Sequence, residues 1–302
     1  MIKIDILLVT YNQEQFIRQA LDSILMQRLN DDVRLRIIVA DDCSTDKTYD
    51  IIHDILGDSV QLGGRTKADV IYLPRISNLG HVRNYQRAFA NCDGDYVAIL
   101  EGDDYWSNPL HLQIHLDFLD IHRECVLTTQ RPTWYFEEEQ RFMPTAIFKF
   151  PEGDYKYITI EEEICVNRIV NLSSCLIRGE AIRHLDERVF NCSVLDWPMY
   201  INISQMGLLC LLAGTSNVYR AKKSGLYAGL DATAALKMDA QLLNEIENIF
   251  PQYADSYQRA RHLMRPKQKT LCRKFIECIL LPFAILSKFG HRIHVVFNDM
   301  KK

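Results

Sequence analysis

The segment Gly94-Asp-Tyr-Val-Ala-Ile-Leu-Glu-Gly-Asp-Asp-Tyr-Trp106 constrains this chain more than any other. Tyr96 through Leu100 is apolar without alternation, the pattern of a central parallel strand covered on both faces. Three carboxylates, Glu101, Asp103 and Asp104, arrive at its carboxyl end, where open α/β sheets hold their ligands. Uncompensated burial of such charge costs several kcal/mol, so packing alone gives no reason for it. A hard cation bridging to a phosphate would compensate it, because Mg²⁺ and Mn²⁺ take carboxylate oxygens and keep positions open for substrate. The plainer alternative is a solvated acidic turn capping the next helix.

Upstream of this strand the chain alternates strand and helix patterns. Ile4–Thr10 reads as a first strand, with Asn12 expected to cap a helix over Gln13–Gln27. Leu35–Ala40 is a second strand ending at Asp41-Asp42, and Ser44, Thr45 and Asp46 offer cap chemistry for a helix running to about Leu56. A short strand over Asp69–Leu73 and a helix over Val82–Ala90 lead back to Tyr96. This alternation predicts right-handed βαβ units and a mostly parallel sheet flanked by helices, an α/β fold. Ser107-Asn108-Pro109 opens a further helix to about His122. Beyond it, strands are expected at Cys125–Thr129, Ser173–Arg178 and within Gly207–Tyr219, with an irregular hairpin over Trp134–Phe150. Helices are expected at Asp196–Gln205 and Asp231–Ile249. The expected division is a domain over residues 1–228, with a donor half at 1–125 and an acceptor half at 126–228, followed by a helical, basic tail over 229–302.

In a doubly wound sheet the polar strand ends Thr10-Tyr11-Asn12, Asp41-Asp42 and Glu101-Gly102-Asp103 converge on one crevice. No Gly-x-Gly-x-x-Gly follows the first strand and no Gly-Lys-Ser/Thr occurs, so dinucleotide and P-loop readings fail. A carboxylate at the second strand end can accept from a base N–H or a ribose hydroxyl, and acids after the fourth can hold a cation on a diphosphate. The three ends together describe a nucleoside-diphosphate pocket.

Four motifs in order, Val9-Thr-Tyr-Asn12, Ala40-Asp-Asp-Cys-Ser-Thr-Asp-Lys-Thr48, Asn78-Leu-Gly-His-Val-Arg-Asn84 and Leu100-Glu-Gly-Asp-Asp-Tyr-Trp106, resemble the series carried by family 2 glycosyltransferases. The resemblance covers about residues 1–225 and is to enzymes of bacterial polysaccharide biosynthesis. It implies the GT-A fold and inversion at the sugar anomeric carbon. It also implies a nucleoside diphosphate sugar donor, UDP-linked first of all, and a glycan or lipid-linked acceptor. By that resemblance Thr10, Tyr11, Asn12 and Asp42 would contact the nucleoside, and Asn78, Gly80, Arg83 and Asn84 would lie along the donor. Glu101-Gly102-Asp103 would stand at the Asp-x-Asp position, with Asp103 the direct ligand of Mn²⁺ or Mg²⁺ and Glu101 beside it. Two departures stand out: Cys43 replaces the usual Gly after the paired acids, and Glu101 replaces the first Asp.

Inversion by single displacement needs a base at the acceptor hydroxyl. Asp196, in Leu195-Asp-Trp-Pro-Met-Tyr200, fits the family position of that carboxylate, and it is also good capping chemistry ahead of Trp197-Pro198. Ser173, Ser174 and Trp197 would line the acceptor side; a plain strand edge explains the serines equally well. Tyr219-Arg220 resembles the Tyr-Arg before the family's closing loop. Where the family often has His two residues on, this chain has Lys222, which can neutralise diphosphate charge directly. The loop 223–229 has the glycines a lid requires. His111 and His115, four apart on a helix, lack a third ligand and read as core residues. Cys43 has no His at triad spacing, so it is not expected to be a nucleophile.

The formal net charge is −4, yet Arg259 to the C-terminus carries eleven Lys/Arg against two acids, +9, leaving −13 on the rest. A basic tail on an acidic body is expected to meet an anionic surface. Residues 265–290 join a basic cluster to an apolar segment, broken by Glu277, Pro282 and Lys288. Either this segment lies in a membrane interface, or it packs as a terminal helix on the domain or in a homodimer. Nucleic acid is not an expected partner. Nine scattered cysteines without a Cys-x-x-Cys pair suit a reducing cytosol. The expected location is therefore cytoplasmic, with a peripheral contact to the inner face of the plasma membrane. Two rival readings are a nucleotidyltransferase, whose Gly-rich basic loop after the first strand is missing, and a non-catalytic protein that only binds nucleotide sugars.

Overall fold

The computed structural model describes residues 1–64, 66–143, 154–169, 171–223, 225, 230 and 232–264. The first half runs β1 (Ile2–Thr10), α1 (Ile17–Leu25), β2 (Val33–Asp41), α2 (Thr48–Leu56), β3 (Ser59–Leu62), β4 (Thr66–Tyr72), α3 (His81–Phe89) and β5 (Tyr96–Glu101). There follow β6 (Tyr105–Trp106), α4 (His111–Ile121), β7 (Cys125–Gln130), β8 (Thr133–Phe136), β9 (Arg141–Phe142), β10 (Tyr155–Ile158), α5 (Ile160–Cys165), β11 (Cys175–Arg178) and α6 (Gly179–Arg183). The chain continues through α7 (Asp196–Ile203), β12 (Leu208–Leu212), β13 (Asn217–Ala221), α8 (Ala232–Ile249) and α9 (Ala254–Leu263).

Nine strands form one mixed sheet in the order β10-β12-β7-β11-β5-β1-β2-β4-β3, and four form a smaller sheet, β6-β13-β8-β9. β1 is parallel to both β2 and β5. The chain therefore moves to one side of β1, through β2 and β4, and returns on its other side as β5. That reversal is a topological switch point, and it opens a crevice beyond the carboxyl end of β1. The register levels the ends, pairing Thr10 with Asp41 and Val9 with Glu101.

The missing alternation in the central strands has a simple cause. Successive side chains point to opposite faces, and both faces are covered. Leu7, Val9, Val97 and Ile99 enter one buried cluster, while Ile6, Leu8, Ala98 and Leu100 enter the other. α1, α2 and α4 cover the second face. The first is covered by α3 and α7, together with Leu242, Leu243 and Ile246 of α8 and Tyr257 and Ala260 of α9. At least this part of the chain beyond residue 228 is therefore packed into the same core as the strands.

Several local expectations are corrected. Asn12 does not cap a helix: it sits at φ 51°, its Oδ1 accepts from Thr45 N–H, and the helix starts only at Ile17. Ser173 and Ser174 lie in a buried 3₁₀ turn rather than in a strand, which begins at Cys175. Gly207–Tyr219 divides into β12 and β13, with Gly214 at φ 84° in the turn between them. β3 pairs antiparallel with β4 as an edge hairpin that its mixed sequence did not announce. His111 and His115 are buried, with Nδ1 on Ser216 Oγ and Thr128 Oγ1 respectively. Most of the proposed lid (residues 224 and 226–229) and the basic segment 265–302 lie outside the described residues.

Candidate active site

The loops after β1 and β2 are laced together by side chain to backbone bonds. Asn12 N–H donates to Ser44 Oγ at 2.9 Å and Gln13 N–H to Thr48 Oγ1 at 2.7 Å. Glu14 and Asp46 each accept from the other's loop, from Lys47 N–H and Glu14 N–H. Cys43, at the position where the family has Gly, adopts φ 59°. That left-handed conformation costs a non-glycine residue about 1–2 kcal/mol, which explains why glycine is the usual occupant. Tyr11 is exposed beside this loop, while Thr10 is buried and hydrogen-bonds Gln13.

The two acids ending β2 have divided roles. Asp41 is buried, accepts from Ser44 and pairs with Arg75 at 2.7 Å. Asp42 is also buried, and its two oxygens accept from Leu79 N–H and Gly80 N–H, both at 2.8 Å. Asn78 donates to the Asp42 carbonyl. Gly80 stands at φ 81° immediately before α3, so it can turn both amides inward at no steric cost. Asn84 is committed internally: Nδ2 donates to the Ala40 carbonyl, and Oδ1 accepts from Arg87, which itself donates to the Asp41 carbonyl. Arg83 lies outside, on Gln86 and Asn191.

The acids after β5 are likewise unequal. Asp104 is buried, with Oδ1 accepting from Arg220 N–H and Oδ2 from Asn171 Nδ2. It ties this loop to β13. Glu101 is partly buried; Tyr85 Oη donates to it at 3.0 Å, and its N–H donates to Ser173 Oγ. Burial first, then the charge of Asp103, pushes Glu101 up to about 7. Burial and the same neighbours push Asp104 well above the ordinary carboxylate range. Asp103 keeps some access to the cleft and forms an ion pair with Lys222 at 2.7 Å. Ser174, by contrast, is turned toward Thr129 and the Asn171 carbonyl.

Arg220 is the cross-brace of the site. Its guanidinium donates to the Asp103 carbonyl and to Gln19 and pairs with Glu137. It also lies over the rings of Phe16, Tyr105 and Tyr135. A guanidinium so occupied orders the strand ends around it. A cavity of about 350 Å³ opens alongside, lined in part by Asn12, Gln13, Phe16, Asp46, Glu137 and Lys222.

Asp196 begins α7, where its Oδ1 accepts from Trp197 N–H at 2.7 Å. Burial pushes it up to about 6. Behind it lies a carboxyl that sequence reading missed. Glu163 on α5 is fully buried and pushed up to about 8 by that burial. It accepts from Arg168 N–H at 3.1 Å. Trp197 Nε1 donates to the Glu163 carbonyl, which docks α7 on α5. The run Glu161-Glu162-Glu163 reads as the acidic first turn of a helix, and the observed capping box of Thr159 and Glu162 fits that reading. Nothing local marks the third acid as the buried one.

These groups share one space. Asp103 and Asp42 are the acids nearest in effect to His81, the exposed first residue of α3. Asp196 and Asp103 both act on Glu101. Tyr219, raised by burial, senses Glu101, Asp103, Asp104 and Asp196 together. His81 lies inside one of the four motifs, and its signal was its place just after Gly80.

Residues 5–176 match the family described as glycosyl transferase family 2. The chain belongs to that family. Its relatives include an uncharacterised protein of Mycobacterium tuberculosis, 27% identical over 221 residues that cover 72% of this chain. The chain spans 59% of the length of that relative. Another is the Escherichia coli UDP-Glc:alpha-D-GlcNAc-diphosphoundecaprenol beta-1,3-glucosyltransferase WfaP, 24% identical over 207 residues, covering 68% of this chain and 71% of the relative. Among solved structures, S. aureus TarS 1-349 in complex with UDP-GlcNAc superposes with a TM-score of 0.59 at 17% identity, covering 98% of this chain and 87% of that 1-349 chain. The family 2 chain thus has the GT-A fold anticipated from its motifs. No helix among the described residues is long and apolar enough to cross a membrane.

Proposed function

We propose that this family 2 protein is an inverting glycosyltransferase that moves a sugar from a nucleoside diphosphate sugar, UDP-linked, to a hydroxyl of a glycan or lipid-linked saccharide. The observation that carries the reading is geometric: β2 and β5 flank β1 with level carboxyl ends, Thr10 beside Asp41 and Val9 beside Glu101, so the loops bearing Asp42 and Asp103 leave neighbouring strand ends. In this reading the nucleoside, diphosphate and acceptor ends of the reaction meet in one cleft at the switch point. The name of WfaP supports the UDP-sugar and the lipid-linked acceptor.

In this reading the loop around Thr10, Tyr11 and Asn12 receives the nucleoside with Asp42. The carboxylate of Asp42 holds the 79–80 backbone, so Asn78 and Gly80 shape the donor wall, with Asn84 bracing it from within and Arg83 exposed beside it. Asp196 takes the proton from the attacking hydroxyl. An aspartate raised to about 6 is still ionised at neutral pH and is a better base than an ordinary carboxylate. Ser173, Ser174 and Trp197 support the acceptor side by fixing Glu101, the 171–174 turn and α7.

The acid cluster fits a divalent cation on one observation: the Lys222 ammonium already stands in for a positive charge at Asp103. Among the described residues no group of three or more His, Cys, Asp and Glu side chains is arranged to hold a metal ion. Asp103, with Glu101 behind it, would hold Mn²⁺ or Mg²⁺, whose charge would stabilise the leaving diphosphate. Residues 1–228 would form the catalytic unit, and residues 265–290 would make any peripheral membrane contact.

The test is thermal-shift titration with UDP, GDP and their sugars, with and without Mn²⁺, followed by a transfer assay on lipid-linked saccharides. A nucleoside diphosphate should raise the melting temperature by mass action. No shift with any nucleotide would remove the proposed activity.

A further inference from the structure

Arg220 and Lys222 flank Ala221 at the end of β13, and both cations lie over the Phe16 ring, at 4.7 and 5.0 Å. Their commitments differ. Arg220 is held by the Asp103 carbonyl, Gln19 and Glu137. Lys222 stands just past the last strand residue and, among the described residues, has one acidic partner, the Asp103 carboxylate at 2.7 Å. The two side chains are 17% and 18% exposed, so the pair is sheltered from the screening that makes surface pairs weak. It is also surplus charge compensation of a replaceable kind. The backbone and Asn171 bonds of Asp104 and the Tyr85 bond of Glu101 are fixed by the fold. The Lys222 bond ends on a flexible four-carbon stem.

We propose that Lys222 is a tethered counter-ion that occupies the cation's carboxylate in the free protein and leaves it when a diphosphate arrives. This rests on the cleft being a nucleoside-diphosphate-sugar site. The ammonium holds Oδ2 of Asp103 at 2.7 Å, so a divalent ion on either oxygen of that carboxylate would face a like charge across it. Without nucleotide, the cation must displace Lys222 with nothing to receive the ammonium. With nucleotide, the ammonium moves to the diphosphate, an acceptor of higher charge, and Asp103 is released. Cation uptake is thereby coupled to donor binding, and the free acid cluster does not collect metal on its own. Coupling of this kind is reciprocal: the factor by which nucleotide tightens Mn²⁺ is the factor by which Mn²⁺ tightens nucleotide.

The experiment uses the full chain, with Mn²⁺ uptake read from loss of the free-ion EPR signal and UDP binding read calorimetrically in EDTA. The proteins are wild type, Lys222→Met and Lys222→Arg. In Lys222→Met, Mn²⁺ binding without UDP should tighten about ten-fold or more, the scale of one nearby unit charge. UDP binding in EDTA should weaken in the same variant. Lys222→Arg keeps the charge and should stay near wild type in both. Opposite signs for the two ligands cannot come from a general loss of structure, which would weaken both. The inference is overturned if Lys222→Met leaves nucleotide-free Mn²⁺ binding unchanged or weaker, or if neither protein takes up Mn²⁺ under any condition. If UDP fails to bind wild type with or without Mn²⁺, the proposed function itself fails instead.

Discussion

Replacing Asp196 by Asn gives a prediction with two readouts of opposite direction. Burial raises this carboxyl from 3.8 to about 6, and each tenfold change in a proton affinity is about 1.4 kcal/mol. The ionised form in the folded protein therefore costs roughly 3 kcal/mol relative to the unfolded chain. The sign follows from proton binding. Between pH 3.8 and about 6 the folded state holds the proton that the unfolded state has lost. The group's favourable contribution is thus complete below 3.8 and is lost as pH rises through 6. Asn does not ionise, and its Oδ1 can still accept from Trp197 N–H. The stability difference between variant and wild type should then grow with pH by roughly 2 kcal/mol between pH 4.5 and 7.5, levelling off above 6. Urea unfolding at those two pH values measures it. Over the same range turnover should fall by roughly 10²–10⁴ while donor binding persists, and wild-type kcat/KM should decline below about pH 6 as the base is protonated. A variant whose relative stability is flat with pH, or which retains turnover, would refute the assignment of Asp196 as a half-buried base.

Three further changes test the supporting structure. Glu163→Gln should show the same kind of gain, but continuing to about pH 8, where its burial places the carboxyl; melts at pH 5, 6.5 and 8.5 separate the two profiles. Arg220→Met removes bonds to the Asp103 carbonyl, Gln19 and Glu137. It should destabilise by about 3 kcal/mol and weaken UDP binding, read by denaturant melts and calorimetry. Cys43→Gly relieves the φ of 59° at the entropic cost of glycine, so stability should rise by about 0.5–1 kcal/mol without loss of UDP affinity.

Several features of this protein were legible in one dimension because they are set by local chemistry. The double-sided apolar run at Tyr96–Leu100 requires a covered parallel strand, and acids placed after such a strand require compensation. The alternation of β1 to β5 with α1, α2 and α3 is likewise written in hydrophobic period. The segments around Asp42 and Asp103 stood out because their order and spacing resemble the family's motif series, and Asp196 because it fits a family position.

What only three dimensions decided was which of several similar side chains keeps access to the cleft. Asp41, Asp42, Asp103 and Asp104 look alike in sequence. The fold consumes three of them on Arg75, on the 79–80 amides, and on Asn171 with Arg220, and leaves Asp103 at the cleft. Glu163 differs from Glu161 and Glu162 only in the helix face it occupies once Trp197 docks on it. Hydrogen-bond partners and dielectric surroundings come from residues up to a hundred or more positions away, such as Arg220 on Asp104. No window of sequence contains them, so a pKa or an ion-pair partner belongs to the packed chain rather than to the residue.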